Sequence, residues 1–201
     1  MFRGIGDISE WSEPGNQPEP YIVQRYIHNP LLIGHKKFDM RIYVLVTSHN
    51  PLTVYLYRSG FGRFTHYRYE ANDIYNHEMH LTNVAVQKNS DNYDEERGGK
   101  YQLDKLRLYI LSRYGETATE KCFFEIQELV IKTLIATSRV ISNDKRCFEL
   151  YGFDVMIDAN LKPWLIEING SPSMTANTPI DRNLKNGLLD DTLTIVNLEK
   201  V

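Results

Sequence analysis

Two carboxylates and an amide stand close together in CFELYGFDVMIDANLKPWLIEINGSPS, residues 147–173. Asp154, Glu167 and Asn169 lie inside apolar runs of strand length, 147–157 and 163–169, which flank the polar turn Asp158–Ala159–Asn160. A carboxylate within a buried strand is costly unless it is paired or bound to a metal. If the runs form an antiparallel hairpin turning between Asn160 and Leu161, Asp154 and Glu167 lie directly opposite, with Cβ atoms about 5 Å apart. Glu167 and Asn169, two residues apart, share a face. Three such donors converging make a hard-oxygen cation site, of the kind Mg²⁺ uses while it holds phosphates. A one-residue slip would send Asp154 to the other face, and the plain alternative is three exposed edge positions. Two opposed like charges without a counter-ion would destabilise the hairpin, which favours the cation.

A cationic set lies upstream. Lys36, Lys37, Asp39 and Arg41 open one strand, Arg63 sits in GFGRF, and Lys100 follows Gly98–Gly99. Folded over the hairpin, these residues neutralise phosphate oxygens and grip an anionic substrate. A solvated strand edge is the competing reading of each residue taken singly. His80–Leu81–Thr82–Asn83 offers small polar groups for ribose or phosphate, a weak signal alone. His66, His77 and His80 have no zinc spacing. Neither a phosphate-loop pattern, nor GxGxxG, nor a Ser-His-Asp or Cys-His arrangement stands out.

The elements that must position these groups are sheet-rich. The chain has 201 residues, enough for one large domain or two small ones, and 42% are apolar, enough for a core. Its 13 Tyr and 8 Phe favour strands. A net charge of −3 makes no electrostatic case for nucleic-acid binding. Two cysteines, Cys122 and Cys147, fit buried free thiols in a reducing compartment. No apolar run approaches the roughly 20 residues of a membrane span, and no signal peptide is evident, so a soluble intracellular protein is expected.

Residues 1–20 read as a short helix near Asp7–Trp11 and a linker. Strands are expected at Tyr21–Ile27, Phe38–Ser48, Thr53–Arg58 and Arg63–Tyr67, with Gly60–Gly62 as punctuation between the last two, in an antiparallel meander. On Phe38–Ser48, Asp39 and Arg41 share one face while Met40, Ile42 and Val44 share the other. The opening strand lacks upstream neighbours, which suggests a truncated chain. Residues 70–100 read as a long functional loop with a charged patch at Asp91, Asp94, Glu95, Glu96 and Arg97. Helices are expected over Gln102–Tyr114, Glu120–Val140 and Asp181–Leu198. The second has a wide buried stripe of Phe123, Ile126, Val130, Leu134 and Thr137, with Phe124, Ile131 and Ile135 alongside.

The runs FDMRIYVLV, GFGRF, HLTNVAVQK and FELYGFDVMID…KPWLIEINGSPS resemble the tubulin–tyrosine-ligase-like family, whose members add amino acids to tubulin. NPLLIGHKKFD, LTNVAVQK and LLDDTLTIVNL look most like its ciliary polyglutamylase branch. The resemblance covers about residues 20–198. It implies an α+β, ATP-grasp fold, with residues 1–20 a linker and remnant of a central domain. Residues 21–201 would be the C-terminal catalytic region, with a mostly antiparallel sheet and flanking helices. It implies ATP and Mg²⁺ as cofactors, with Asp154, Glu167 and Asn169 on the metal. Gln24, Arg25, Tyr26 and Ile27 would line the adenine pocket. Lys37, Asp39, Thr82 and Asn83 would contact the nucleotide, and Arg41 the phosphates. Arg63 and Lys100 would bind free L-glutamate or the acyl phosphate, with Val84 and Ala85 beside it. Arg41, Arg63 and Glu167 would be the catalytic residues.

Acidic tubulin tails would be the partner, with no nucleic acid or membrane, and the setting the cytoskeleton or a ciliary axoneme or basal body. Lys88, Arg97, Lys100, Lys105, Arg107 and Arg113 are the candidate docking cations. The chain departs from the family pattern at Gly170, where alanine is usual, and at His35, where glycine is. It also has no room for the family's N-terminal domain or its phosphate-covering lysine and glycine-rich loop. A non-enzymatic microtubule-binding protein and a glycine ligase are the alternatives.

Overall fold

The computed structural model describes residues 1, 4–10, 22–88, 99–142, 144 and 146–197. Trp11, the linker, Tyr21 and the charged patch at 91–97 lie outside them. Helix α1 is Ile5–Glu10. A sheet follows, built from β1 (Leu32–Ile33), β2 (Lys36–His49), β3 (Leu52–Phe64), β4 (Lys100–Gln102), β5 (Glu149–Ile157) and β6 (Pro163–Asn169). The main strand order is β4-β3-β2-β5-β6, and β1 pairs with β2. All pairings are antiparallel. Helices α4 (Leu103–Tyr114) and α5 (Glu116–Thr137) pack on one face, and α6 (Pro179–Val196) on the other. The fold is α+β with an antiparallel sheet, as expected.

β2 is central because its side chains suit both faces. Phe38, Met40, Ile42, Val44 and Val46 enter a core with Leu106 and Ile110 of α4 and Ile126 and Val130 of α5. Each such fully buried side chain contributes about 1.5–3 kcal/mol. On the other face Tyr43 packs with Phe61 of β3 and Leu188 of α6.

Several expectations are corrected. The described part of the opening strand, residues 22–27, is not strand, and Ile22 and Val23 are exposed. β-propensity without a neighbouring edge does not make a strand. The two short strands after Asn50–Pro51 are one, β3, and Gly60 and Gly62 lie within it. They serve close approach rather than a turn: a Cβ on Gly60 would stand 2.5 Å from the Arg41 carbonyl oxygen. Residues 70–100 contain two single-turn helices, α2 (His77–His80) and α3 (Val84–Gln87). Gln87 pins them, donating to the Glu78 and Leu81 carbonyls at 2.7 and 2.6 Å and accepting from the His66 amide at 2.8 Å.

On α5 the buried stripe is narrow: Thr119, Cys122, Ile126, Val130 and Leu134. Phe124, Ile131 and Ile135 are exposed, because the sheet covers only one side of the helix. Cys122 is buried, and Cys147, expected to be, is exposed. Among the described residues no helix is long and apolar enough to cross a membrane.

Candidate functional site

Strand register builds two charged rungs across the sheet. In one, Lys100 of β4 faces Arg63 of β3, and Arg63 faces Asp39 of β2. In the next, Arg41 of β2 faces Asp154 of β5, and Asp154 faces Glu167 of β6. Arg41 donates from Nε to Asp154 Oδ1 at 2.5 Å and from Nη2 to Oδ2 at 3.1 Å. Arg63 grips Asp39 through Nε, at 2.8 Å, and through Nη2, which also lies 2.7 Å from Asp154 Oδ2. These are forked, charge-assisted contacts in a site nearly closed to water. The side chain of Asp154 is 1% exposed, those of Arg41 and Arg63 10% and 12%. Burial pushes the Asp154 carboxyl up. The Arg41 hydrogen bond and the charges of Arg63 and Arg41 outweigh burial and hold it below the usual carboxylate range. For Arg63, burial opposes the charge, but Asp39 and then Asp154 push the guanidinium further up.

Asp154 and Glu167 are paired as expected, though not by the expected turn. From Val155–Leu165 to Ile157–Pro163 the hairpin centres on Asn160, and between Asp154 and Val155 the register shifts by one residue. Ile166 is the extra residue of a β-bulge. It lets Leu165 turn to the core beneath the sheet while Glu167, two positions on, turns to the face of Asp154. The turn is held by Asp158, whose Oδ1 accepts from the Asn160 and Lys162 amides and whose Oδ2 accepts from Trp164 Nε1.

The three metal candidates are thus brought together but differ in burial. Asn169 Nδ2 lies 3.4 Å from Asp154 Oδ2 and 3.3 Å from Glu167 Oε1. Glu167 is exposed on an edge strand, so the buried-strand premise holds for Asp154 alone. Among the described residues no three His, Cys, Asp or Glu side chains converge, so the amide is needed to complete a donor set. Asp154 Oδ2 is engaged by Arg41, Arg63 and Asn169, whereas Oδ1 holds one bond, from Arg41. With the Glu167 carboxylate and the Asn169 amide, that leaves oxygen donors of the type a hard divalent cation takes.

Gly152 makes room for Arg41 to cross. A Cβ there would stand 2.9 Å from Pro172 Cβ and 3.0 Å from Arg41 Cδ. Gly152→Ala is therefore expected to cost about 1–3 kcal/mol of stability and to shift the Arg41 Nε–H resonance. Urea unfolding and a side-chain amide spectrum check it, and an unmoved resonance would contradict the crossing.

Lys37 forms the far end of the face. Its Nζ donates to the His80 carbonyl at 2.7 Å and to the Tyr26 hydroxyl at 3.2 Å. Tyr26 lies 2.8 Å from His80 Nδ1, and His80 Nε2 lies 2.7 Å from the Asp73 carbonyl. The carbonyl requires the proton on Nε2, so the tyrosine donates to Nδ1. Burial lowers Lys37 to about 8, with Asp39 opposing. Of the expected adenine segment, Tyr26 reaches this network, Ile27 is half-buried, and Gln24 and Arg25 are exposed.

Asn83 caps α3 by accepting from the Ala85 amide at 2.9 Å. Among the described residues no side-chain hydrogen bond joins Thr82, Asn83, Val84 or Ala85 to the arginine cluster. Lys100 turns away from Arg63 to Asp181 of α6, at 2.7 Å. Three buried residues of this face escaped the sequence reading: Tyr43, Asp181 and Lys185. In the sequence these polar groups look like solvent-facing side chains, and only the docking of α6 buries them.

The sequence profile described as Tubulin-tyrosine ligase family matches residues 1–200. The chain belongs to the tubulin-tyrosine ligase family. It is 50% identical over 181 residues to the probable tubulin polyglutamylase TTLL9 of Rattus norvegicus, across 90% of this chain and 39% of that protein. It is 52% identical over 180 residues to the probable alpha-tubulin polyglutamylase Ttll1 of Tetrahymena thermophila, across 89% and 44%. With the probable tubulin polyglutamylase ttll-9 of Caenorhabditis elegans it shares 43% over 203 residues, across 100% and 49%. The chain therefore spans less than half the length of these relatives.

Proposed function

We propose that this chain is the C-terminal catalytic part of an ATP- and Mg²⁺-dependent ligase that adds glutamate to glutamate side chains in tubulin tails. The observation that carries the reading is the pair of charged rungs, Lys100–Arg63–Asp39 and Arg41–Asp154–Glu167, which set three cations beside three carboxylates across five strands, with Asn169 beside Glu167. The family and its polyglutamylase relatives supply the substrate class. The γ-phosphoryl group of ATP passes to an oxygen of the acceptor's γ-carboxylate, releasing ADP. The amine of free glutamate, having lost a proton, then attacks the acyl carbon. Phosphate leaves, and an isopeptide bond remains.

Both steps concentrate negative charge, so catalysis is chiefly positioning and electrostatic stabilisation. Arg41 faces the phosphates, and Arg63 meets the acyl phosphate or the incoming carboxylate. Lys100 binds the incoming glutamate, with Val84 and Ala85 beside it. Lys37, Asp39, Tyr26, Thr82 and Asn83 meet the nucleotide. Mg²⁺, held by Asp154, Glu167 and Asn169, would shield the phosphate oxygens. A cytoskeletal setting, ciliary or axonemal, follows from tubulin as substrate.

Labelled-glutamate incorporation into tubulin, by the full-length protein and the 201-residue chain side by side, tests this. Incorporation dependent on ATP supports it. Glycine incorporation instead, or microtubule binding without transfer, would replace it with one of the two alternatives.

Lys37 adds a pH dependence. Its charge is disfavoured by burial, so the unfolded chain holds the proton more tightly, and the stability penalty falls away as pH rises from about 8 towards 10.5. Nucleotide binding runs the opposite way, since it needs the charge. ATP affinity is expected to weaken about tenfold between roughly pH 7 and 9, by calorimetry, and Lys37→Arg to flatten that dependence.

A further inference from the structure

Asp181 is the third residue of α6, after the cap Thr178 and Pro179. An acidic residue there ordinarily serves its own helix, whose free N–H groups attract negative charge. Asp181 does not. Its amide is capped by Thr178 Oγ1 at 3.2 Å, and its carboxylate crosses to Lys100 Nζ, 2.7 Å away and 81 positions distant in sequence. Lys185, one turn along α6, lies 3.4 Å from both carboxylate oxygens and donates to the Thr175 carbonyl. The side chains of Asp181 and Lys185 are 3% and 5% exposed. One buried carboxylate thus stands between two ammonium groups, leaving one positive charge in surplus in a place largely closed to water. Lys100 Nζ also lies 4.9 Å from the centre of the Phe61 ring. Lys100, Phe61 and Asp181 line one cavity of about 260 Å³ with Tyr101, Lys105 and Thr178.

We propose that Asp181 is the positioning residue for Lys100, fixing its ammonium in the cavity wall and offsetting the like charge of Lys185 so that Lys100 can receive an anionic carboxylate. This rests on the assignment of Lys100 to the incoming amino acid. Without the carboxylate, two ammonium groups would face each other in a poorly solvated space and one would shed its proton. A residue needed only to dock α6 could be replaced by any polar group of the same shape. A residue whose negative charge holds the Lys100 ammonium in place cannot.

Steady-state kinetics of the full-length protein separates these. Asp181→Asn, isosteric but neutral, is expected to raise the KM for glutamate roughly 10- to 100-fold, with the KM for ATP within about twofold. Asp181→Glu restores most of the loss. An unchanged glutamate KM in Asp181→Asn, or an equal rise in both constants, overturns the proposal. Lys100→Met is the control. If its glutamate KM is unchanged, the assignment of Lys100 falls. If its KM rises while that of Asp181→Asn does not, the positioning role alone falls. Should Asp181→Asn fail to fold, the wild-type chain still decides. A lysine-selective nitrogen spectrum must show a protected Lys100 ammonium at neutral pH, and a solvent-averaged one overturns the proposal.

Discussion

Glu167→Gln is expected to lower ATP-dependent glutamate transfer by the full-length protein roughly a thousandfold, with the fold intact. Glu167 is exposed, sits on an edge strand, and its side chain accepts a hydrogen bond from Asn169. Glutamine keeps the length and an oxygen, so stability should move by no more than about 0.5 kcal/mol. What it loses is the second negative charge at the end of the Arg41–Asp154 rung. Labelled-glutamate transfer and a thermal melt, run together, check it. Retained activity would remove Glu167 from the metal site, and a large fall in melting temperature would show a structural task there that its exposure hides.

Asp154→Asn, one rung position away, is expected to fail differently. Asp154 is buried beneath Arg41 and Arg63, and among the described residues no other carboxylate pairs with Arg41. An amide would point donors at guanidinium donors and leave a buried positive charge unpaired, at about 3–5 kcal/mol. That is at least a fifth of the stability of an ordinary domain, about 5–15 kcal/mol. Urea unfolding measures it, and a loss below about 1 kcal/mol would mean the guanidinium pair is hydrated after all. The pH dependence follows in sign. The folded carboxyl titrates below its unfolded value, so its stabilisation is complete above the ordinary aspartate range. It is lost as the pH falls through the depressed folded value. Two members of one donor set would thus be separated, Glu167 serving function and Asp154 both function and fold.

Much of this site was legible because strand alternation is a strict rule. Asp39 and Arg41 on one face of β2 and Met40, Ile42 and Val44 on the other follow from a period of two, whereas the facing of Asp154 and Glu167 depends on the bulge between them and the turn. The bulge at Ile166 was not legible, although WLIEIN holds a hint. Leu165 is in phase with Glu167 and Asn169, and an apolar residue in phase with two polar ones asks for a break between them. Gly60 and Gly62 misled because glycine marks both turns and close approaches, and only the neighbouring strand distinguishes them. Phe124, Ile131 and Ile135 misled because periodicity shows that a helix has an apolar side, not how wide a surface covers it. Asp181 was invisible for a plainer reason: its partner, Lys100, is 81 residues away, and no local pattern reports such a distance.

The edge position of β6 bears on motion. β5 is paired on both sides, so its amides open to solvent only with the whole sheet, whereas β6 is paired on one side and can fray by itself. Amides of β6 are therefore expected to exchange faster than those of β5, and Asp154 and Glu167 ride on strands of different local stability. If an ion binds as proposed, Asp154 would meet it from the strand held on both sides, and Glu167 and Asn169 from the strand that can adjust around it.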